Sequence, residues 1–415
     1  MAQGPRSASP AAPPWLWPAM LALARRLPRS LGRRGLAVPP LLAQLPDFTA
    51  GAEALEAGRF AEALLPLQRA SEVADAYFPE AAAPERALCH SAHGRCLWYL
   101  GRYSEAAARY EAGLAAARGR APDLATSHLA EAAGRVRFEL GHFEAATALA
   151  GDAAGAAPGS KGALLLAEAL GVVEGVAGPP LPAPAAGPEV DVVFEATRRM
   201  NLLVGRGLPD KDEEPASDEV WHEFDEQGEL GRLLASAGET PSLPLMALRS
   251  TGGQLAVASG QEGKPWARPL LVKALDDFAA LQPGGPTLGP VLFRTLGALG
   301  TLTARTSLDA VTSEGLFRTA LDHIEEAMRG QLSHSLDLGR GPLWRAMVFW
   351  AYAELLQQGR QAEQRSSEIA ALRQRAAAAL GSEQSATGPT RRQLRWALVY
   401  LPPPERLRPE ELLAS

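Results

Sequence analysis

The sequence predicts an all-α protein, folded as a solenoid of helix-turn-helix repeats. Three observations predict it. Gly58-Arg59-Phe60-Ala61-Glu62-Ala63, Gly101-Arg102-Tyr103-Ser104-Glu105-Ala106 and Gly141-His142-Phe143-Glu144-Ala145-Ala146 share one pattern of Gly, aromatic and Ala, with the copies 43 and 40 residues apart. A second Gly stands seven residues before each copy (Gly51, Gly94, Gly134), and a small residue stands twelve after it (Ala70, Gly113, Ala153). Self-similarity at such a period marks a repeat array. Finally, no run alternates apolar and polar residues as a strand would, whereas helical periodicity continues to about residue 400.

Each position of the pattern has a physical reading. Gly51, Gly94 and Gly134 lie in the first helix of a pair, where a side chain would hold the second helix away. Gly58, Gly101 and Gly141 stop that helix, because a helix end often needs positive φ. The aromatic enters the second helix and fills the space between the two. The Ala three residues later lets the helices approach closely. This resembles the tetratricopeptide repeat, whose stacked hairpins form a right-handed superhelical solenoid. The usual repeat is about 34 residues, so these copies carry longer connections, similar to the kinesin-light-chain type. HEAT repeats share the longer period but do not account for the Gly and aromatic positions. The resemblance is specific over residues 47–158.

Composition narrows the function. The chain has 415 residues and a net charge of −6, where a nucleic-acid binder is more often basic. Its 40 Gly and 34 Pro exceed average usage and call for linker segments. Two cysteines cannot make a disulfide framework. No apolar run is long enough for a transmembrane helix.

Residues 1–46 hold six Arg and no Asp or Glu. Residues 15–36 mix Leu, Met and Trp with Arg at amphipathic spacing, the composition of a mitochondrial transit peptide. A solvated Ala/Pro/Arg tail and a secretory signal ending near Ala22-Leu23-Ala24 are the alternatives. Subtracting those six from 41 basic residues leaves 35 against 47 acids, a net charge of −12 after residue 46. Repeats are expected over 47–177. A Pro-rich and acidic linker follows over 178–218, interrupted by a helix near 190–204. Degenerate helical repeats occupy 219–400, with a helix from Asp218 to about Ser236. Gly315-Leu316-Phe317-Arg318-Thr319-Ala320 repeats the motif and is expected at another turn. Two helical domains joined across 178–218 are the alternative to one solenoid. Residues 401–415, Pro-rich from Pro402, form a tail that docks or stays loose.

No catalytic set assembles, so an enzyme is not expected. Cys89, His93 and Cys96 share one helix face as metal ligands might, yet the repeat register makes this a packing face, and neither a metal nor a cofactor is expected. Trp221-His222-Glu223-Phe224-Asp225-Glu226 lacks the second His of a zinc-protease helix and reads as a polar helix face. No phosphate loop or nucleophile elbow is present. The resemblance implies that first-helix positions line a concave groove for extended peptides. Transferred to this chain, they are Arg95, Trp98, His128, Glu131, Arg135 and Phe138. The Lys and Asn that clamp a chaperone's terminal carboxylate are absent, since Phe48, Ala52, Ala92, His128 and Ala132 stand there. Arg95 and Arg135, with Trp98 and Phe138 as walls, suit an acidic or aromatic segment of a protein partner. The expectation is a non-enzymatic interaction scaffold or assembly factor in mitochondria, with a cytosolic or nuclear adaptor as the alternative.

Overall fold

The computed structural model describes residues 40–119, 123–176, 191–209, 218–237, 240–281, 288–307, 309–329, 336–381 and 388–407. The Arg-rich leader and the Pro-rich run 178–188 lie outside them. The described residues belong to one compact unit, Ala37–Ser415. They contain helices and no strand. After a single turn at Pro40–Ala43, the helices are α1 (Pro46–Glu56), α2 (Phe60–Tyr77), α3 (Ala83–Tyr99), α4 (Tyr103–Ala117), α5 (Asp123–Glu139), α6 (Phe143–Ala156), α7 (Lys161–Glu174) and α8 (Val192–Gly207). Then come α9 (Asp218–His222), α10 (Glu229–Ser236), α11 (Leu243–Ala258), α12 (Ala267–Leu281), α13 (Leu288–Ser307), α14 (Ala310–Arg329), α15 (Gly341–Gln358), α16 (Ser366–Leu380) and α17 (Arg391–Leu398).

Consecutive helices pair as hairpins: α1 with α2, α3 with α4, α5 with α6, α11 with α12, α13 with α14, and α15 with α16. The first helices also touch one another in sequence, giving an inner row α1, α3, α5, α7, α8, α11, α13, α15. Because α8 packs between α7 and α11 in that row, residues 178–218 do not separate two domains. Between α7 and α8 the described residues hold no outer helix.

The glycine pattern does what its spacing predicts. Gly58, Gly101 and Gly141 have φ of 73°, 70° and 78°, a region that L side chains avoid. A Cβ on Gly51 would come within 2.6 Å of Leu67, one on Gly94 within 3.0 Å of the Tyr110 ring, and one on Gly134 within 3.2 Å of Leu149. Helix approach therefore depends on the missing methyl group. Ala63, Ala106 and Ala146 are fully buried at the same contacts. The aromatics reach further than expected: Phe60 stacks on Tyr99 of the next repeat, with centroids 4.4 Å apart.

Two expectations are corrected. Gly315 is no turn residue but lies inside α14, with nothing near its Cβ position. Phe317 occupies the eighth position of its helix, as Leu67 and Tyr110 do, and a Cβ on Gly300 of α13 would stand 3.0 Å from its ring. A chance Gly two residues before that aromatic imitates the turn motif. The helix expected from Asp218 to Ser236 is also broken at 223–228. There the chain turns so that Trp221 and Phe224 both pack on Trp266, the latter ring pair at 4.2 Å. Glu223 accepts a hydrogen bond from the Leu230 amide and faces Arg199 at 3.4 Å. A side chain at Gly228 would strike the His222 carbonyl. Apolar burial of two aromatics, each contributing about 2 kcal/mol or more, outweighs helix continuity over this polar stretch.

Replacing the buried Ala106 with Leu should overpack the α3–α4 contact and destabilise the protein by about 1–3 kcal/mol. The same change at the exposed Ala108 should shift the melting temperature far less. Thermal melts of the two variants side by side check the register.

Candidate functional site

The inner row carries the six residues expected to form a groove, but the chain already fills part of it. Residues 388–407 run along the inner helices, α17 packing against α7, α8, α11 and α15. Beyond α17 the chain is extended, and Asn201 of α8 holds it. The Asn201 side chain donates to the Tyr400 carbonyl and accepts from the Tyr400 amide, both at 2.8 Å. A carboxamide matches one peptide unit's donor and acceptor at once, as a neighbouring strand would.

Arg135 is 3% exposed. It pairs with Glu131 at 2.6 Å and donates to the carbonyls of Pro402 and Pro403 at 2.6 and 3.2 Å. Arg95 is half-buried, reaches Glu56 at 3.2 Å and lies over the Tyr99 ring. Both arginines line one hollow of about 470 Å³ with Tyr99, Lys161, Phe194 and residues 402–406. Glu131 also accepts from Ser160, and its carboxylate rests where a Cβ on Gly162 would stand. His128 is partly buried beside Ser91 at 3.3 Å, and burial, then the charges of Arg135 and Arg95, lowers its pKa to about 3.

Trp98 and Phe138 do not wall that hollow. Trp98 lines a separate small cavity of about 60 Å³, with Glu139, Arg294, Arg340 and Trp344. Phe138 is fully buried between Phe143, at 5.8 Å, and the Arg340 guanidinium, at 5.4 Å. The Phe138 carbonyl accepts from Trp396 at 3.1 Å. Phe138 is therefore covered by residues more than 200 positions away in the chain, and Trp98 shares its cavity with such residues, which no local pattern announces. Sequence reasoning also missed Asn201, Arg294 and Arg340. Asn201 left one signal: a carboxamide within the apolar run 200–204. The two arginines gave none, because they resemble ordinary surface Arg in sequence.

Cys89, His90, His93 and Cys96 are buried, as the repeat register predicts. Burial raises both thiols to about 12 and lowers His93 to about 3. His93 meets Ser71 at 3.2 Å, His90 meets Asp75 at 2.9 Å, and Cys96 donates to the Phe60 carbonyl. Among the described residues no group of three or more His, Cys, Asp or Glu is placed to hold a metal ion.

The hairpins, their glycine contacts and the inner row make this an all-α solenoid of tetratricopeptide-like repeats. No protein-family model matches the sequence, and no curated protein matches it significantly. Among solved structures it is similar to a tetratricopeptide repeat protein from Parabacteroides merdae, at 11% identity, over 85% of this chain and 96% of that one, with a TM-score of 0.30. At that overlap the fold rests on the repeat geometry described above. No helix among the described residues is long and apolar enough to cross a membrane.

Two measurements probe this region. His93 and His128 titrate at about 3 when folded against 6.5 when unfolded, so the unfolded chain takes up their protons first. Stability is then complete above the unfolded value and falls on acidification, each His contributing up to about 1.4 kcal/mol per pH unit. Urea unfolding across this range should show that loss, and His128→Gln should flatten it. Asn201→Ala leaves the Tyr400 peptide without partners. It should cost about 2 kcal/mol and speed hydrogen exchange at the Tyr400 amide.

Proposed function

We propose that the protein is a non-enzymatic interaction scaffold that takes an extended segment of a protein partner along its inner groove, and that it acts as an assembly factor in mitochondria. One observation carries the first half: the inner row already holds an extended polypeptide, residues 399–407, through side-chain bonds to its backbone. Recognition of that kind gives affinity through the main chain, while pockets for side chains set the sequence. The hollow beside residues 402–406 is bordered by Arg95, Arg135, Lys161 and Arg406 against Asp191 and Glu405. With Glu131 and Glu56, which pair with Arg135, Arg95 and Arg406, bases and acids balance, so a partner's carboxylate would be taken through the guanidinium donors and not through net charge.

The mitochondrial assignment rests on the six Arg and absent acids of residues 1–46. The alternative, a cytosolic or nuclear adaptor, uses the same groove and differs only in address. Deleting residues 1–39, which stops short of the buried Leu42 and of α1, should leave the protein folded and diffuse in the cytosol, as followed by imaging and helix content. Unchanged import of the shortened chain would remove the targeting assignment and leave the groove untouched.

Because Arg135 is buried against Glu131, reversing its charge would damage the fold as well as the groove. A better probe is Arg95→Glu with Lys161→Glu, two half-exposed or exposed cations on the rim. The double variant should keep its helix content and lose its proximity-labelled or cross-linked partners. Retention of the same partners would place binding on another surface.

A further inference from the structure

We propose that residues 402–407 are an internal ligand of the groove, and that the partner displacing them is an extended proline-containing segment bearing a carboxylate. This rests on the groove being the partner surface and adds what occupies it beforehand.

The segment 388–407 is held in two unequal parts. Up to Leu401 it belongs to the core. Leu398, Val399 and Leu401 are buried, and Asn201 grips Tyr400 from both sides. The Arg340 guanidinium donates to the carbonyls of Trp396 and Val399, and Arg395 donates to that of Leu208. Beyond Leu401 the hold thins. Arg135 donates to two proline carbonyls, Arg406 approaches Glu56 at 3.6 Å, and Leu407 is buried in the apolar cluster of Phe48, Leu55 and Leu88. Glu405 is exposed.

The chemistry of the stretch explains why it can bind and also leave. Pro402, Pro403 and Pro404 have no amide hydrogen, so their backbone offers acceptors only. A Pro run is already extended in water, so docking it costs little conformational entropy. The groove answers with donors, but it holds more than the stretch satisfies. Arg95 Nε and Arg135 Nε are buried there without partners, and the hollow of about 470 Å³ remains beside the prolines. Surplus buried donors beside open space, with Arg95, Lys161 and Arg135 around it, call for a ligand richer in acceptors. A carboxylate on the same extended backbone supplies them.

The test uses the full chain and two fluorescein-labelled peptides. One copies residues 399–407; the other is Val-Tyr-Leu-Pro-Glu-Pro-Glu-Asp-Leu. Leu407→Asp releases the internal stretch by placing a charge in its apolar anchor, and deletion of residues 402–415 does so independently. Since apparent affinity scales with the open fraction, both changes should tighten peptide binding by about tenfold or more. The acidic peptide should bind the released forms better than the copy. Equal binding to released and intact chains, or none to folded released chains, overturns the internal ligand. Equal or weaker binding of the acidic peptide overturns the carboxylate. Hydrogen exchange on the unaltered chain gives a readout without substitutions. The Leu407 amide should exchange much faster than that of Leu401, and equal protection would make residues 402–407 part of the core. Should release change peptide binding while cellular partners ignore the groove, the internal ligand stands and the scaffold reading falls. Identical partners for intact and released chains give the converse.

Discussion

One buried ion pair closes the inner face. Glu139 ends α5, Arg340 precedes α15, and they meet in two hydrogen bonds although 201 residues separate them. The Arg340 amide also donates to the Glu139 carbonyl, where a side chain on the adjoining Gly339 would have no room. The guanidinium then spends its remaining donors on Trp396 and Val399 and lies over the rings of Phe138 and Trp344. Desolvating two charges is costly, and such a pair is retained where geometry and added hydrogen bonds make it specific. Here it fixes which turn of the array meets which, and it fixes the path of residues 396–399 between them.

Polar residues along the inner row follow from that path. A polypeptide laid against helices brings amides and carbonyls that the helices, with their own backbones satisfied, cannot pair. Side chains must do it. Asn201, Arg294, Arg340, Trp344 and Arg135 each bond to a main-chain group of that segment. Such residues look misplaced in an apolar helix until the segment they serve is seen.

What the sequence made legible was local. Gly51 with Leu67, or Gly94 with Tyr110, are contacts within one hairpin, and their geometry writes itself into spacing. The same economy misled at Gly315, where two small residues bracket Phe317 inside a helix and imitate a turn. Among the groove residues, Arg95 and Arg135 fall on neighbouring inner helices around one hollow, as the register implies. Phe138 and Trp98 carry the same register, yet Phe138 is covered by Arg340 and Trp396 and Trp98 faces a cavity lined by Arg340 and Trp344, partners set by long-range closure. The break at 223–228 depends on Trp266, some 40 positions on, and so was invisible to a window a few turns wide.

Ordinary solenoids are quasi-one-dimensional: each repeat leans on its neighbours, so the array can grow or fray from either end. The path of residues 388–407 removes that freedom. A segment synthesised after every helix that receives it supplies Trp396 to the third hairpin and Leu407 to the first. Early repeats leave the ribosome with part of their interior missing and complete it only when the chain has doubled back. Formation is therefore governed by sequence separation, which slows folding and prolongs exposure of apolar surface. The finished molecule gains cooperativity in exchange, since Leu42 and Leu407, near the two limits of the described residues, share one apolar cluster.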